Sequence, residues 1–187
     1  MKDAWDRIET WLESNAPDML RVLRPGAALD AIRTTEATLS VTFPDDMVAS
    51  YRIHDGQAAL SYALMGEWEL LSLEDVITEW DTMRDLHLDE APHDEGTPTD
   101  PVRPMWWNTR WVPVAYNGGG DLQCVDLDPA PNGTVGQMTT FWHMDAEREQ
   151  LAPTFRDWLA AYADDLEQGK YTVREGSKLI LRERSDG

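Results

Sequence analysis

Cysteine is almost absent from this sequence of 187 residues, where Cys124 stands alone. One thiol makes no internal disulfide and no multi-cysteine zinc site. Basic side chains are scarce as well: sixteen lysines and arginines face thirty-five aspartates and glutamates, for a net charge of −19. A pI near 4.3 leaves no basic face for a phosphate backbone or an anionic lipid surface, so neither nucleic acid nor membrane is an expected partner. Nowhere do eighteen apolar residues run together, which excludes a membrane-spanning helix. The opening Met1-Lys2-Asp3-Ala4-Trp5-Asp6 lacks the apolar stretch of a signal peptide, so the expected location is the cytoplasm.

What is present points to a folded chain. Nine tryptophans and 42% hydrophobic residues are too many for an acidic disordered polymer. A chain of this size buries about 70% of its surface on folding, enough for one real core. One domain over 1–187 is therefore expected. The acid is concentrated, since residues 41–100 carry only Arg52 and Arg84 against fifteen acids, a net −13. Such a patch keeps a protein soluble, and it also steers a basic partner.

Helical spacing of Trp5, Ile8, Trp11 and Leu12 predicts an amphipathic helix over 3–14. Pro17 and Arg24-Pro25-Gly26 punctuate the connection to a second helix over 28–38, with Leu29, Ile32 and Leu39 inward. Pro44 opens a third, which ends at His54-Asp55-Gly56. A short strand near Trp68–Leu71 leads to Ser72, an N-cap with Asp75 three residues on. The helix it opens is two-faced, with Leu73, Val76, Ile77, Trp80 and Met83 on one side and Glu74, Asp75, Glu79, Asp81 and Asp85 on the other. Residues 88–105 read as a proline-rich acidic loop. Strands come next at 111–116, 121–127 and 135–142, the first two joined by Asn117-Gly118-Gly119-Gly120. A helix over 153–167 and a short hairpin in a 170–187 extension close the chain. Helices, then a strand meander, then a helix indicate an α+β fold with a mostly antiparallel sheet flanked by helices.

Chemistry is hard to find. Gly118–Gly120 lacks the lysine and helix start of a phosphate loop. In Asp126-Leu127-Asp128, Ala130 and Pro131 stand where a calcium loop needs an oxygen ligand and a glycine. Cys124 sits in an alternating strand, where a lone cysteine is a small buried hydrophobe. His54-Asp55 and His143-Met144-Asp145 adjoin no nucleophile, and no paired-histidine metal spacing occurs. No catalytic residue, metal or cofactor is expected. Trp106, Trp107 and Trp111 cluster at a loop-to-strand join, where they either anchor a partner or pack the core.

The ordered motifs include Arg24-Pro25-Gly26-Ala27, Phe43-Pro44-Asp45-Asp46, Tyr51 to Gln57, Leu70 to Glu74, Trp107-Asn108, Trp111 to Val114, Gly119-Gly120-Asp121, Asp126 to Pro129, Gly136-Gln137 and Trp158-Leu159. Together they resemble the Smi/Knr cell-wall regulator group of the SUKH superfamily over roughly residues 3–170. The resemblance implies a single α+β domain with a mostly antiparallel sheet and no catalytic residues. Bacterial members are similar to immunity proteins that bind a toxin domain, and fungal members act as regulatory hubs. Combined with the acidic middle third, this gives the expectation of a non-enzymatic bacterial immunity protein that occludes a basic toxin, such as a nuclease, within a toxin–antitoxin pair. The alternative is a general protein-interaction or regulatory module without a toxin. The residues expected to meet the partner are Glu67, Glu74, Glu79, Asp81, Asp85, Asp89, Glu90 and Trp106, in a monomer or homodimer.

Overall fold

The computed structural model describes residues 1–58, 63–86, 101–174 and 178–181. Four helices come first: α1 (Lys2–Asn15), α2 (Pro17–Val22), α3 (Leu29–Leu39) and α4 (Asp45–Tyr51). The pattern of α1 puts Ala4, Trp5, Ile8 and Leu12 in the core, whereas Trp11 stays partly exposed at the edge of that stripe. Helix α2, with Pro17 at its first turn, was not anticipated, because six residues are too few to show a helical period. Leu29, expected inward, is 44% exposed at the first position of α3.

Strand β1 (Glu69–Leu70) precedes α5 (Leu73–Leu86), and then come β2 (Trp111–Tyr116), β3 (Leu122–Asp126), β4 (Gln137–Phe141), β5 (Gln150–Ala152) and α6 (Phe155–Glu167). The five strands form one sheet in the order β1-β2-β3-β4-β5, antiparallel throughout. This bears out the α+β reading. A separate hairpin, β6 (Tyr171–Arg174) with β7 (Lys178–Leu181), comes after α6, and Tyr171 packs edge-on against Tyr162 at 5.3 Å. The three-residue β5 was missed from sequence; it is secured by Thr139 and Thr140, whose hydroxyls bond the backbone of Glu149.

Register assigns the two faces of the sheet. Gln123, Val125 and Met138 lie on one face, where the Trp158 indole of α6 donates to Gln123 Oε1 at 2.9 Å. Trp111, Cys124, Asp126, Gln137 and Phe141 share the other, against which Trp107 packs. Buried tryptophans bring an N–H that needs an acceptor. Trp5 donates to Ser50 Oγ at 2.9 Å and Trp80 to the Thr109 carbonyl at 3.0 Å.

The motif residues hold chain crossings together. Asp55 Oδ1 accepts from Leu73 N, capping α5, and Gln57 Oε1 accepts from Leu64 N and Leu70 N. Gly56, at φ +65°, passes so close to β1 and α5 that a Cβ would overlap the backbone of Leu71 and Ser72. On the far side of the sheet, buried Asp126 accepts from Asp128 N and from Gln137 Nε2, both at 2.9 Å. Gln137 also donates to Pro101 O and accepts from Thr134 N and Gln150 Nε2. Asp128 takes Arg103 and Asn108.

Gly56→Ala should therefore cost at least about 2 kcal/mol, from backbone overlap added to a left-handed φ. Gly118→Ala, at φ +78° with nothing nearby to strike, should cost only about 1 kcal/mol. Urea denaturation followed by circular dichroism measures both, and equal losses would refute the close-approach argument.

Candidate functional site

Helix α5 carries most of the acidic residues expected to meet a partner. Its start is fixed by Ser72, which accepts from Asp75 N at 3.3 Å and donates to the Asp75 carboxylate at 2.5 Å. Leu73, Val76, Trp80 and Met83 then turn into the core. Of the outward acids, Glu74 is exposed to solvent. Asp81 and Asp85 instead flank Arg84, at 2.7 and 2.8 Å, and the guanidinium lies 5.2 Å over the Trp80 ring. Two of the expected charges are thus countered within the helix.

Glu79 takes a different place. It is half-buried beside Asp75, one helical turn away, and both burial and Asp75 push its pKa up. Glu69 on β1 is raised for the same two reasons. The Tyr116 phenol on β2 is raised by burial and then by Glu79 and Glu69. The structure therefore gathers Glu69, Asp75 and Glu79 into one unneutralised group, with exposed Glu67 in the turn before β1. No ion pair joins a described cation to Glu69, Asp75 or Glu79. Glu69 escaped the sequence reading because only the sheet brings β1 beside α5. Asp89 and Glu90, and most of the 88–105 loop, lie outside the described residues.

Trp106 is held elsewhere, partly buried, with its ring edge-on to Phe141 at 6.5 Å. Above it lies Arg148, which nothing in the sequence singled out. Its guanidinium sits 4.6 Å from the Phe141 ring, 5.4 Å from Trp106 and 5.9 Å from Trp111. It donates to the carbonyls of Asp145, Glu147 and Trp106. Burial lowers its pKa to about 10, so it remains a cation. Trp107 and Trp111 are buried, 8% and 0% exposed, which decides the tryptophan cluster mainly for core packing.

The residues weighed for chemistry have structural partners. Cys124 is completely buried, and burial pushes its thiol up, away from the thiolate a nucleophile needs. His54 lies between Glu9 Oε1 at 2.7 Å and the Arg24 carbonyl at 2.9 Å, edge-on to Trp5. His143 pairs with Asp121 at 2.8 Å beside the Asn117–Gly120 turn. Among the described residues no group of three histidine, cysteine, aspartate or glutamate side chains is placed to hold a metal ion, and no helix is long and apolar enough to cross a membrane.

Comparison with known proteins gives this geometry a context. The family described as SMI1 / KNR4 (SUKH-1) matches residues 26–161. The chain is similar to a glucan synthesis regulatory protein of Neurospora crassa, 25% identical over 96% of this chain and 41% of that protein. It is also similar to the cell wall assembly regulator SMI1 of Saccharomyces cerevisiae, 25% identical over 90% and 41%. The cell wall biosynthesis/cell cycle regulator smi1 of Schizosaccharomyces pombe is 27% identical over 94% and 38%. The chain thus spans about two fifths of the length of these relatives. The finding overturns the expectation of a bacterial toxin-neutralising immunity protein, because relatives aligned along nearly the whole chain are named as fungal regulators. The motifs had not separated the two groups, since they are the residues that hold the fold together.

The raised pKa of Glu79 gives a pH test. Its ionised form is disfavoured in the fold, so its penalty is absent below the unfolded carboxylate value and full above the folded one. Glu79→Gln should raise stability at neutral pH by a few tenths of a kcal/mol, discounted for solvent screening. That gain should vanish as the pH falls to about 4. Thermal melts at the two pH values measure it, and a gain that persists in acid would refute the assignment.

Proposed function

Because the chain belongs to the SMI1/KNR4 (SUKH-1) family, we propose that it is a non-enzymatic regulatory module that recognises a protein partner by surface contact. One observation carries this reading: relatives aligned over at least nine-tenths of the chain are named regulators. The geometry agrees with it. Asp55, Gln57, Asn108, Asp126 and Gln137, which carry the family resemblance, are committed to internal hydrogen bonds. Selectivity then falls to the surface. Those relatives are more than twice as long, and their named roles in cell wall assembly belong to them; the docking function is what we assign to this shared portion.

The surface we assign to docking is the outer side of α5 with the turn before β1, and the partner it fits is basic. Glu67, Glu74 and Glu79 carry the field, joined by Glu69 and Asp75. Asp81 and Asp85 contribute less, because Arg84 stands between them. Complementary charge of this kind accelerates encounter and weakens with salt.

The test is charge reversal at Glu67, Glu74 and Glu79 to lysine, with the fold checked by circular dichroism. Tagged wild type should capture one or a few basic proteins from its own host at low salt and lose them as salt rises. The reversed variant should retain at most about a tenth as much. Equal capture by the two proteins would remove the α5 face from the reading.

A further inference from the structure

Nine side chains of this protein contain sulfur, the eight methionines and Cys124, and folding leaves only one of them freely open to solvent. Met19, Met47 and Met138 are completely buried, and Met1, Met65 and Met83 are at most 9% exposed. Met105 is partly buried against the core. Cys124 would ordinarily compete for an oxidant as its thiolate, but burial hides the sulfur and keeps the thiol protonated. Met144 differs from all of these. It is 82% exposed, the most open large apolar side chain among the described residues.

The turn that carries Met144 is pinned on both sides. Before it, His143 N donates to Asp121 Oδ1 at 2.9 Å, and the His143 ring meets the same oxygen at 2.8 Å. After it, Glu147 N donates to Asp145 Oδ1 at 2.9 Å, and the Arg148 guanidinium donates to the carbonyls of Asp145 and Glu147 at 2.6 and 2.7 Å. Arg148 is itself buried over the Phe141 ring, so the core anchors the turn. All these bonds run through the neighbours of Met144, and none uses its thioether. The sulfur is thus presented from a fixed base.

Exposure governs which thioether a small oxidant reaches, since a buried sulfur must wait for local opening. Hydrogen peroxide suits this position. It is uncharged, so the net charge of −19 and the nearby Asp145, Glu147 and Glu149 do not repel it as they would an anionic oxidant. A lone pair of the Met144 sulfur attacks one peroxide oxygen, and the S–O bond forms as the O–O bond breaks. The departing hydroxide takes the proton of the transferred oxygen and leaves as water. Sulfur gives up two electrons, and the peroxide accepts them. A polar S=O then stands where the turn had an apolar thioether.

We propose that Met144 is a reversible oxidation site, converted to its sulfoxide by hydrogen peroxide and returned by a thiol-dependent reductase, in a fold that shields every other sulfur. In the return step two reductase thiols become a disulfide, and the oxygen leaves as water. The site is independent of docking at the α5 face.

The full chain is treated with hydrogen peroxide, quenched at intervals and digested, and each methionine peptide is followed by mass spectrometry. Met144 should gain oxygen at least about tenfold faster than any other methionine, as its exposure requires. In guanidinium all eight should react alike. The singly oxidised chain should melt within about 2 °C of the untreated one, as expected of a change at the surface. The two methionine sulfoxide reductases, one for each sulfur epimer, should together restore the original mass. Met144→Leu should fold normally and gain its first oxygen at least about tenfold more slowly than wild type. The proposal is overturned if another methionine keeps pace with Met144, or if Met144→Leu oxidises as fast as wild type. It is equally overturned if the first oxygen destabilises the fold, or if the reductases leave it in place.

Discussion

Asp126 has no exposed surface, and a carboxylate taken out of water survives only where donors replace the water. Those donors are the Asp128 N–H and the Gln137 amide, and burial still holds the pKa of Asp126 above the ordinary range. Gln137 has every amide hydrogen and oxygen engaged, with Pro101, Thr134 and Gln150 as its other partners. This pair consequently ties β3, β4, β5 and the 101–108 segment to one point. Asp128 extends the tie to Arg103 and Asn108. Trp107 is seated on Trp111 and Phe141 as a result, and Arg148 closes the same corner through the Trp106 carbonyl. Half-satisfied networks of this type cost more than an apolar core, and this gives each member a structural reason to be present.

With the interior so occupied, the functional question moves to the surface, where a net charge of −19 is not spread evenly in effect. Arg84 offsets Asp81 and Asp85, Lys2 offsets Asp6, and Arg7 offsets Asp164 and Glu167. Exposed pairs of this sort add little stability, but they decide which acids remain free to act on a partner. Glu69, Asp75 and Glu79 stand together without such an offset among the described residues. Like charges held half-buried destabilise the fold, and a basic partner would relieve that strain on binding. That is a thermodynamic reason to look for contact there first.

Membership in the SMI1/KNR4 family and the overturned toxin expectation both trace to one physical fact. Glycines such as Gly56, caps such as Asp55 and Ser72, and buried amides such as Gln57 and Gln137 make the fold possible, whatever it binds. A fold kept by such residues can carry unrelated partner surfaces. The family is therefore legible in these residues, whereas the choice between toxin neutralisation and regulation is not written in the motifs at all.

The sequence by itself determined the fold class, nearly every long element, the capping of α5 by Ser72, and the burial of Trp5, Trp80, Trp111 and Trp158. Those features depend on local periodicity and on side chains that prefer one environment strongly. It missed α2 and β5, because six and three residues hold too little pattern, and it placed Leu29 and Trp11 too deeply in the core. Only the tertiary structure brought Glu69 to Asp75 and Glu79, put Arg84 between two of the predicted contact acids, and buried Arg148 among three aromatic rings. Each of these joins residues far apart in the chain or depends on which way one side chain turns. Charge and polarity read along a sequence count groups; which of them are already paired is settled by distances of a few ångströms that folding alone sets.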